Sequence, residues 1–154
     1  MNKIKGAIYM PGGYVYNVHY HLIWVTKYRK PIFVTDEKRQ VMKNLLTKIA
    51  NLNEITIQEI EVMNDHIHLL VSFPPRLSIT NVVKAFKGAS ARLWFQQFPE
   101  TKQLLWGGHL WSRSYYAGTV GNMSQEVVRK YIQGQRSCKA TSGRKRKKAH
   151  SSGE

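Results

Sequence analysis

The sequence predicts an α+β fold: a ferredoxin-like or RNA-recognition-type antiparallel sheet with helices on one face and a further helix at its C-terminal end. Three observations carry this. Four stretches read as strands, two longer stretches repeat apolar residues at helical spacing, and the order is strand, helix, strand, strand, helix, strand, then a last helix.

The first strand is Tyr14 to Thr26, with Val18, Tyr20, Leu22 and Trp24 on one face and Asn17, His19, His21 and Ile23 on the other. A basic turn, Lys27 to Pro31, ends it. Thr35 is an N-cap, Asp36 and Glu37 suit the positive end of the helix dipole, and Val41, Leu45, Ile49 and Leu52 recur at helical spacing. Ile55 to Val62 and Asp65 to Phe73 form two further strands, joined through Met63 and Asn64 by the short connection a hairpin needs. Pro74 and Pro75 stop the second of them. Ser78 to Phe98 is helical, with Val82, Phe86, Ala89 and Leu93 in register and Lys84, Lys87 and Arg92 on other faces; Pro99 closes it. Leu110 to Val120 is the fourth strand, Gly121 and Asn122 make a turn, and Ser124 caps a last helix that runs to about Ser137.

A chain of 154 residues suits one domain, expected over residues 1–138 and followed by a basic, disordered tail over 139–154. With 42% hydrophobic residues it is not a low-hydrophobicity disordered protein, and none of its apolar runs is long enough to span a bilayer. No membrane partner is expected. The first ten residues carry Lys3 and Lys5 without the apolar run of a signal peptide, and the single Cys138 forms no internal disulfide, so a reducing cytoplasm is the expected compartment. Net charge is +15. The tail holds six bases and one acid, so the first 138 residues still carry 18 bases against 8 acids, or +10. A polyanion is the partner such a charge suits.

Two constellations carry candidate chemistry. His66 and His68 share one strand face with Leu70 and Ser72, so both imidazoles can converge on one ion; His19 and His21 have the same spacing, and either pair also reads as ordinary, partly exposed strand histidines. In the last helix, Tyr131 and Gln135 stand one turn apart on one face. A phenol is a competent nucleophile for a phosphodiester whose charge a cation neutralises, and an amide oxygen can be a third ligand to that cation. Equally, an amphipathic helix can place Tyr and Gln at the edge of a core.

Together these segments resemble the single-tyrosine HUH transposases of small hairpin-ended insertion sequences. The matching runs are His21 to Arg29, Val62 to Val71, Lys87 to Ser90, Leu110 to Tyr115, Gly118 to Gly121 and Tyr131 to Gln135, in the family's order, covering Tyr14 to about Ser137. The tail matches no family element. The resemblance implies that His66, His68 and Gln135 hold Mg²⁺ or Mn²⁺ and that Tyr131 is the catalytic nucleophile. It implies cleavage and rejoining of single-stranded DNA with hairpin ends through a 5′-phosphotyrosine, by a homodimer in which the helix of one chain completes the partner's site. Lys27, Arg29, Lys30, Lys84, Lys87 and Arg92 are the candidate phosphate contacts. A noncatalytic single-strand or RNA-binding module explains the charge but leaves the four site residues unexplained, and it lacks an RNP1-like run on the third strand. A relaxase uses a similar histidine pair in a larger chain.

Overall fold

The computed structural model describes residues 8–9, 15–16, 18–119 and 125–135. Its main sheet has four strands, β3 (Tyr20–Val25), β4 (Thr56–Val62), β5 (His66–Ser72) and β6 (Tyr116–Thr119), in the order β4-β5-β3-β6 and antiparallel throughout. The two inner strands are thus the first and third of the sheet, as a split βαβ arrangement requires. A separate hairpin pairs β1 (Ile8–Tyr9) with β2 (Val15–Tyr16).

Two helices cover one face of the sheet. In α1 (Asp36–Leu52) Thr35 accepts a hydrogen bond from the Lys38 amide, and in α2 (Ile79–Gln97) Ser78 caps in the same way through Asn81. The core between them takes Leu22 and Trp24 from β3, Ile67, Leu69 and Val71 from β5, Met42, Leu46 and Ile49 from α1, and Val82, Phe86 and Trp94 from α2. Two core indoles find partners, Trp94 Nε1 donating to Thr101 Oγ1 at 3.0 Å and Trp111 Nε1 to Ser90 Oγ at 2.9 Å, whereas the buried Trp24 Nε1 has none among the described residues. The third helix, α3 (Gln125–Gly134), follows β6.

Three boundaries differ from the sequence reading. The run from Tyr14 to Thr26 is two strands, because Val15 and Tyr16 pair with the N-terminal hairpin and the main-sheet strand begins at Tyr20. The run from Leu110 to Val120 pairs as a strand only over Tyr116–Thr119. Before Tyr116 the segment meets β3's chain only through an isolated bridge from Trp111 to Thr26, although Leu110 and Trp111 are both buried. In α1 the buried stripe is Met42, Leu46, Ile49 and Ala50, one residue on from Val41 and Leu45, and Leu52 is exposed. The turn at Gly121 and Asn122, the Ser124 cap and the tail lie outside the described residues.

Candidate active site

Register places the histidines. Across the sheet face turned away from α1 and α2, Glu61 of β4, His68 of β5, Ile23 of β3 and Tyr116 of β6 form one row; Glu59, Leu70, His21 and Gly118 form the next. His66 lies beside Val25 on the same face. Ile23 and Val25 are fully buried there, which an uncovered face does not allow. The cover is α3: the Tyr131 ring lies 6.0 Å from that of Tyr116, and Val128 and Ile132 wall a groove of about 580 Å³ together with His68, Glu61 and Arg29.

His66 is anchored from behind. Its Nδ1 lies 2.8 Å from Asp65 Oδ1, and Arg29 Nε donates to the other carboxylate oxygen at 3.4 Å. The hydrogen bond from His66 holds the Asp65 carboxyl below its ordinary range against the opposing effect of burial, and the charges of His66 and Arg29 add to it. An ionised carboxylate has no proton to give, so the proton of this bond sits on Nδ1, and Nε2 is the ring nitrogen left to face a ligand. A carboxylate behind an imidazole is how ligating histidines are oriented. Tyr28 and Arg29 both adopt positive φ, 55° and 52°, and this strained turn carries the Arg29 guanidinium to Asp65.

His68 faces His21, Nε2 to Nδ1, at 2.9 Å. Burial lowers the pKa of His68 and the neighbouring His21 adds to this, against Glu61 and Glu59, so His68 is neutral at pH 7, the form that binds metal.

Tyr131 and Gln135 are brought together by a residue the sequence reading assigned no role. Ser114 Oγ lies 3.0 Å from Tyr131 Oη and donates to Gln135 Oε1 at 2.7 Å. A serine hydroxyl has one proton, and the amide oxygen takes it, so the tyrosine is the donor in the other bond. Gln135 Nε2 donates back to the Tyr131 carbonyl at 3.4 Å, which sets the amide's orientation. Burial raises the Tyr131 phenol above its ordinary pKa, and Ser114 works against this because its hydroxyl can turn from Gln135 to donate to the phenolate once Tyr131 ionises. Ser114 is itself held: Lys87 Nζ donates to the carbonyls of Ser112 and Ser114 at 2.7 and 2.8 Å, and burial brings the lysine's pKa down to about 8.

The four predicted residues thus form two pairs. No hydrogen bond joins Tyr131 or Gln135 to either histidine among the described residues, and those residues contain no cluster of three His, Cys, Asp or Glu that could hold a metal. The donor set still suits a divalent ion: two imidazoles on one strand face and one amide oxygen on the helix above it, all neutral. Of the candidate phosphate contacts, Lys84 and Arg92 are exposed on α2, Lys27 sits 5.3 Å over the Tyr28 ring, Lys30 is half-buried, Arg29 is paired with Asp65, and Lys87 is committed to backbone carbonyls.

Comparison with known proteins turns on the span of the match. The family model described as Transposase IS200 like matches residues 14–135, from before β3 to Gln135, just past the end of the tyrosine helix. The chain belongs to the IS200-like transposase family. Among its relatives, the ISDra2 transposase TnpA of Deinococcus radiodurans is 46% identical over 123 residues, covering 80% of this chain and 87% of that protein. The transposase for insertion sequence element IS200 of Salmonella typhimurium is 32% identical over 112 residues, 73% of each. A crystal structure assigned to a transposase from Deinococcus radiodurans R1 superposes with a TM-score of 0.78 at 42% identity, covering 84% of this chain and 99% of that one. As in the family, the sheet is antiparallel with helices on one face, and the matched span includes His66, His68, Tyr131 and Gln135.

Proposed function

We propose that this transposase cleaves and rejoins single-stranded DNA at the ends of an insertion element carrying subterminal hairpins, with Tyr131 as nucleophile. The observation that carries this reading is the Tyr131 hydroxyl, hydrogen-bonded to Ser114 on a helix that covers the sheet face bearing His66 and His68.

His66, His68 and Gln135 would hold Mg²⁺ or Mn²⁺, which when bound neutralises the charge of the scissile phosphate. Asp65 keeps the His66 proton on Nδ1 and so leaves Nε2 free to bind; His68 and Gln135 serve by exchanging His21 and Ser114 for the ion. The Tyr131 oxygen forms a bond to phosphorus as the bond from phosphorus to the 3′ oxygen breaks. Its proton, held toward Ser114 Oγ before attack, ends on the departing 3′ oxygen. The products are a 5′-phosphotyrosine and a free 3′-hydroxyl. Attack by another 3′-hydroxyl reverses these steps, so strands rejoin without water or nucleotide hydrolysis. The chain works as a homodimer in the cytoplasm, the tyrosine helix of one protomer serving the histidines of its partner. In the single chain, Tyr131 and Gln135 contact their own Ser114.

The test is incubation of the protein and Mn²⁺ with a single-stranded oligonucleotide from the DNA flanking its gene, beside the same sequence as duplex. A covalent adduct on the single strand, absent with duplex and with Tyr131→Phe, is expected; equal cleavage of duplex would identify a conventional nuclease instead. For the shared site, a doubly tagged heterodimer of His66→Ala and Tyr131→Phe chains should regain activity, and a heterodimer as inactive as either parent would refute sharing.

A further inference from the structure

On the far side of the segment that carries Ser114, a second groove of about 440 Å³ runs between α2 and residues 108–113. Its charged lining is entirely basic, Lys87, Arg92 and Arg113, with no Asp or Glu among the lining residues. Lys87 spends its hydrogens on backbone carbonyls, but Arg92 and Arg113 are exposed and have no carboxylate partner among the described residues. Elsewhere on the molecule Arg29, Arg39 and Arg76 are each paired with an acid. Two unpaired guanidiniums flanking a trough without acids attract an anion, and their planar donor forks match phosphate.

Two further features concern the shape and rim of this groove. Gly88 stands on its α2 wall in the middle of a 19-residue helix, where glycine is less favourable than alanine. A Cβ there would meet nothing within 4 Å, so no contact inside the chain accounts for it; the bare backbone leaves room for something from outside to approach closely. On the 3₁₀ turn leading into residues 108–113, Trp106 is 83% exposed, the most open of the large apolar side chains described. Gly107 and Gly108 follow it at positive φ, 77° and 69°, and hold the indole out on a tight turn. A solvent-facing indole two residues from Gly108, which lines a groove with unpaired cations, is a combination suited to stacking an unpaired base while its phosphates are held.

We infer that the groove between α2 and residues 108–113 binds a DNA phosphodiester backbone through Arg92 and Arg113, with an unpaired base stacked on Trp106. This inference rests on the transposase reading above. Because the same segment ends at Ser114, backbone held here lies against the wall that positions Tyr131 and Gln135. The phosphates come either from a hairpin stem or from the single strand beside it, and counterion release tells the two apart.

The experiment measures binding in Tyr131→Phe protein, which cannot cleave, by fluorescence anisotropy over a salt series. The probes are a hairpin oligonucleotide and an unstructured one of equal length. Replacing Arg92 and Arg113 by Gln removes two phosphate contacts. The slope of log Kd against log salt should fall by about 1.8 if a duplex stem occupies the groove, and by about 1.4 if single strand does. Gly88→Glu, whose side chain has open space, should weaken binding of the same probe. Trp106→Ala should weaken it about fivefold or more without changing the slope. Unchanged slope and affinity in the double variant on both probes would overturn the inference. Because no cleavage is involved, that failure would leave the adduct assay standing, and failure of the adduct assay would leave these slopes readable.

Discussion

Lys87→Met separates a residue that positions the site from one that contacts DNA. The substitution keeps most of the stem and removes the ammonium that donates to Ser112 O and Ser114 O. Charge-assisted bonds of this kind contribute about 1.5–3 kcal/mol each. Against them stands the burial of the charge: a fall in pKa from 10.5 to about 8 corresponds to about 3.4 kcal/mol, which partial solvent access reduces to roughly 2 kcal/mol. Water reaches the half-buried 112–114 segment once the amine is gone, so the terms nearly cancel. The expected net cost is about 1 kcal/mol, or about 2–4 °C in Tm. Activity should respond differently. Ser114 loses its anchor, and with it Tyr131 and Gln135 lose theirs; displacement of a reacting group by 1 Å costs on the order of 10²-fold. The assay is the single-turnover rate of adduct formation at saturating single-stranded DNA, with Kd measured across a salt series. We expect the rate to fall by about 10- to 100-fold while Kd and its salt slope stay unchanged. A rate within twofold of wild type would refute the positioning argument. So would a loss explained wholly by weaker binding with a shallower slope, which is the signature of a phosphate contact.

Four further outcomes follow from the same geometry. Ser114→Ala should slow adduct formation and move its alkaline rise to higher pH, because the bond that lowers the Tyr131 pKa is gone; Ser114→Thr should restore both, and an unshifted profile would contradict the assignment. Asp65 has a depressed carboxyl pKa, so the stability it contributes is present above the unfolded value near 3.8 and is lost as pH falls through the lower folded value. Asp65→Asn should therefore cost about 1 kcal/mol at pH 7, with the difference vanishing in acid denaturation below pH 3.8. The Lys87 pKa is lowered too, so the slope has the same sign at alkaline pH: between about 8 and 10.5 the unfolded chain binds more protons, and wild type should gain stability relative to Lys87→Met as pH rises across that range in denaturant melts. His66→Ala and His68→Ala should each abolish Mn²⁺ binding in isothermal titration with the fold intact, whereas His19→Ala should retain it; the reverse would show that the wrong pair had been chosen.

Much of the architecture was legible because it rests on local periodicity. Thr35 caps α1 as read, and the alternation that buries Ile67, Leu69 and Val71 necessarily turns His66 and His68 to the other face. Spacing did not show what depends on register between strands and on loops. His21 has the same spacing to His19 as His66 to His68, and only the pairing of β3 with β5 brings it to 2.9 Å from His68. Ser114 lies in a run rich in Trp and Tyr that reads as strand, but between the isolated bridge at Trp111 and the pairing at Tyr116 residues 112–114 are a non-strand segment, where Lys87 holds the Ser112 and Ser114 carbonyls. That commitment of Lys87 was invisible for the same reason: a helix surface lysine and a buried clamp look alike until the opposing segment is known. Asp65 stands next to His66 in the sequence, and a carboxylate adjoining a ligand histidine was the available signal for an orienting partner.

The central claim is that Tyr131 attacks a single-stranded phosphodiester and keeps the 5′ phosphate. The direct measurement is tandem mass spectrometry of the protein–DNA adduct after nuclease and protease digestion. We expect one modified peptide containing Tyr131, bearing a 5′-linked nucleotide on the phenolic oxygen, together with a released strand ending in 3′-hydroxyl. Linkage to any other residue, linkage through a 3′ phosphate, or cleaved strands with no protein attached would contradict it.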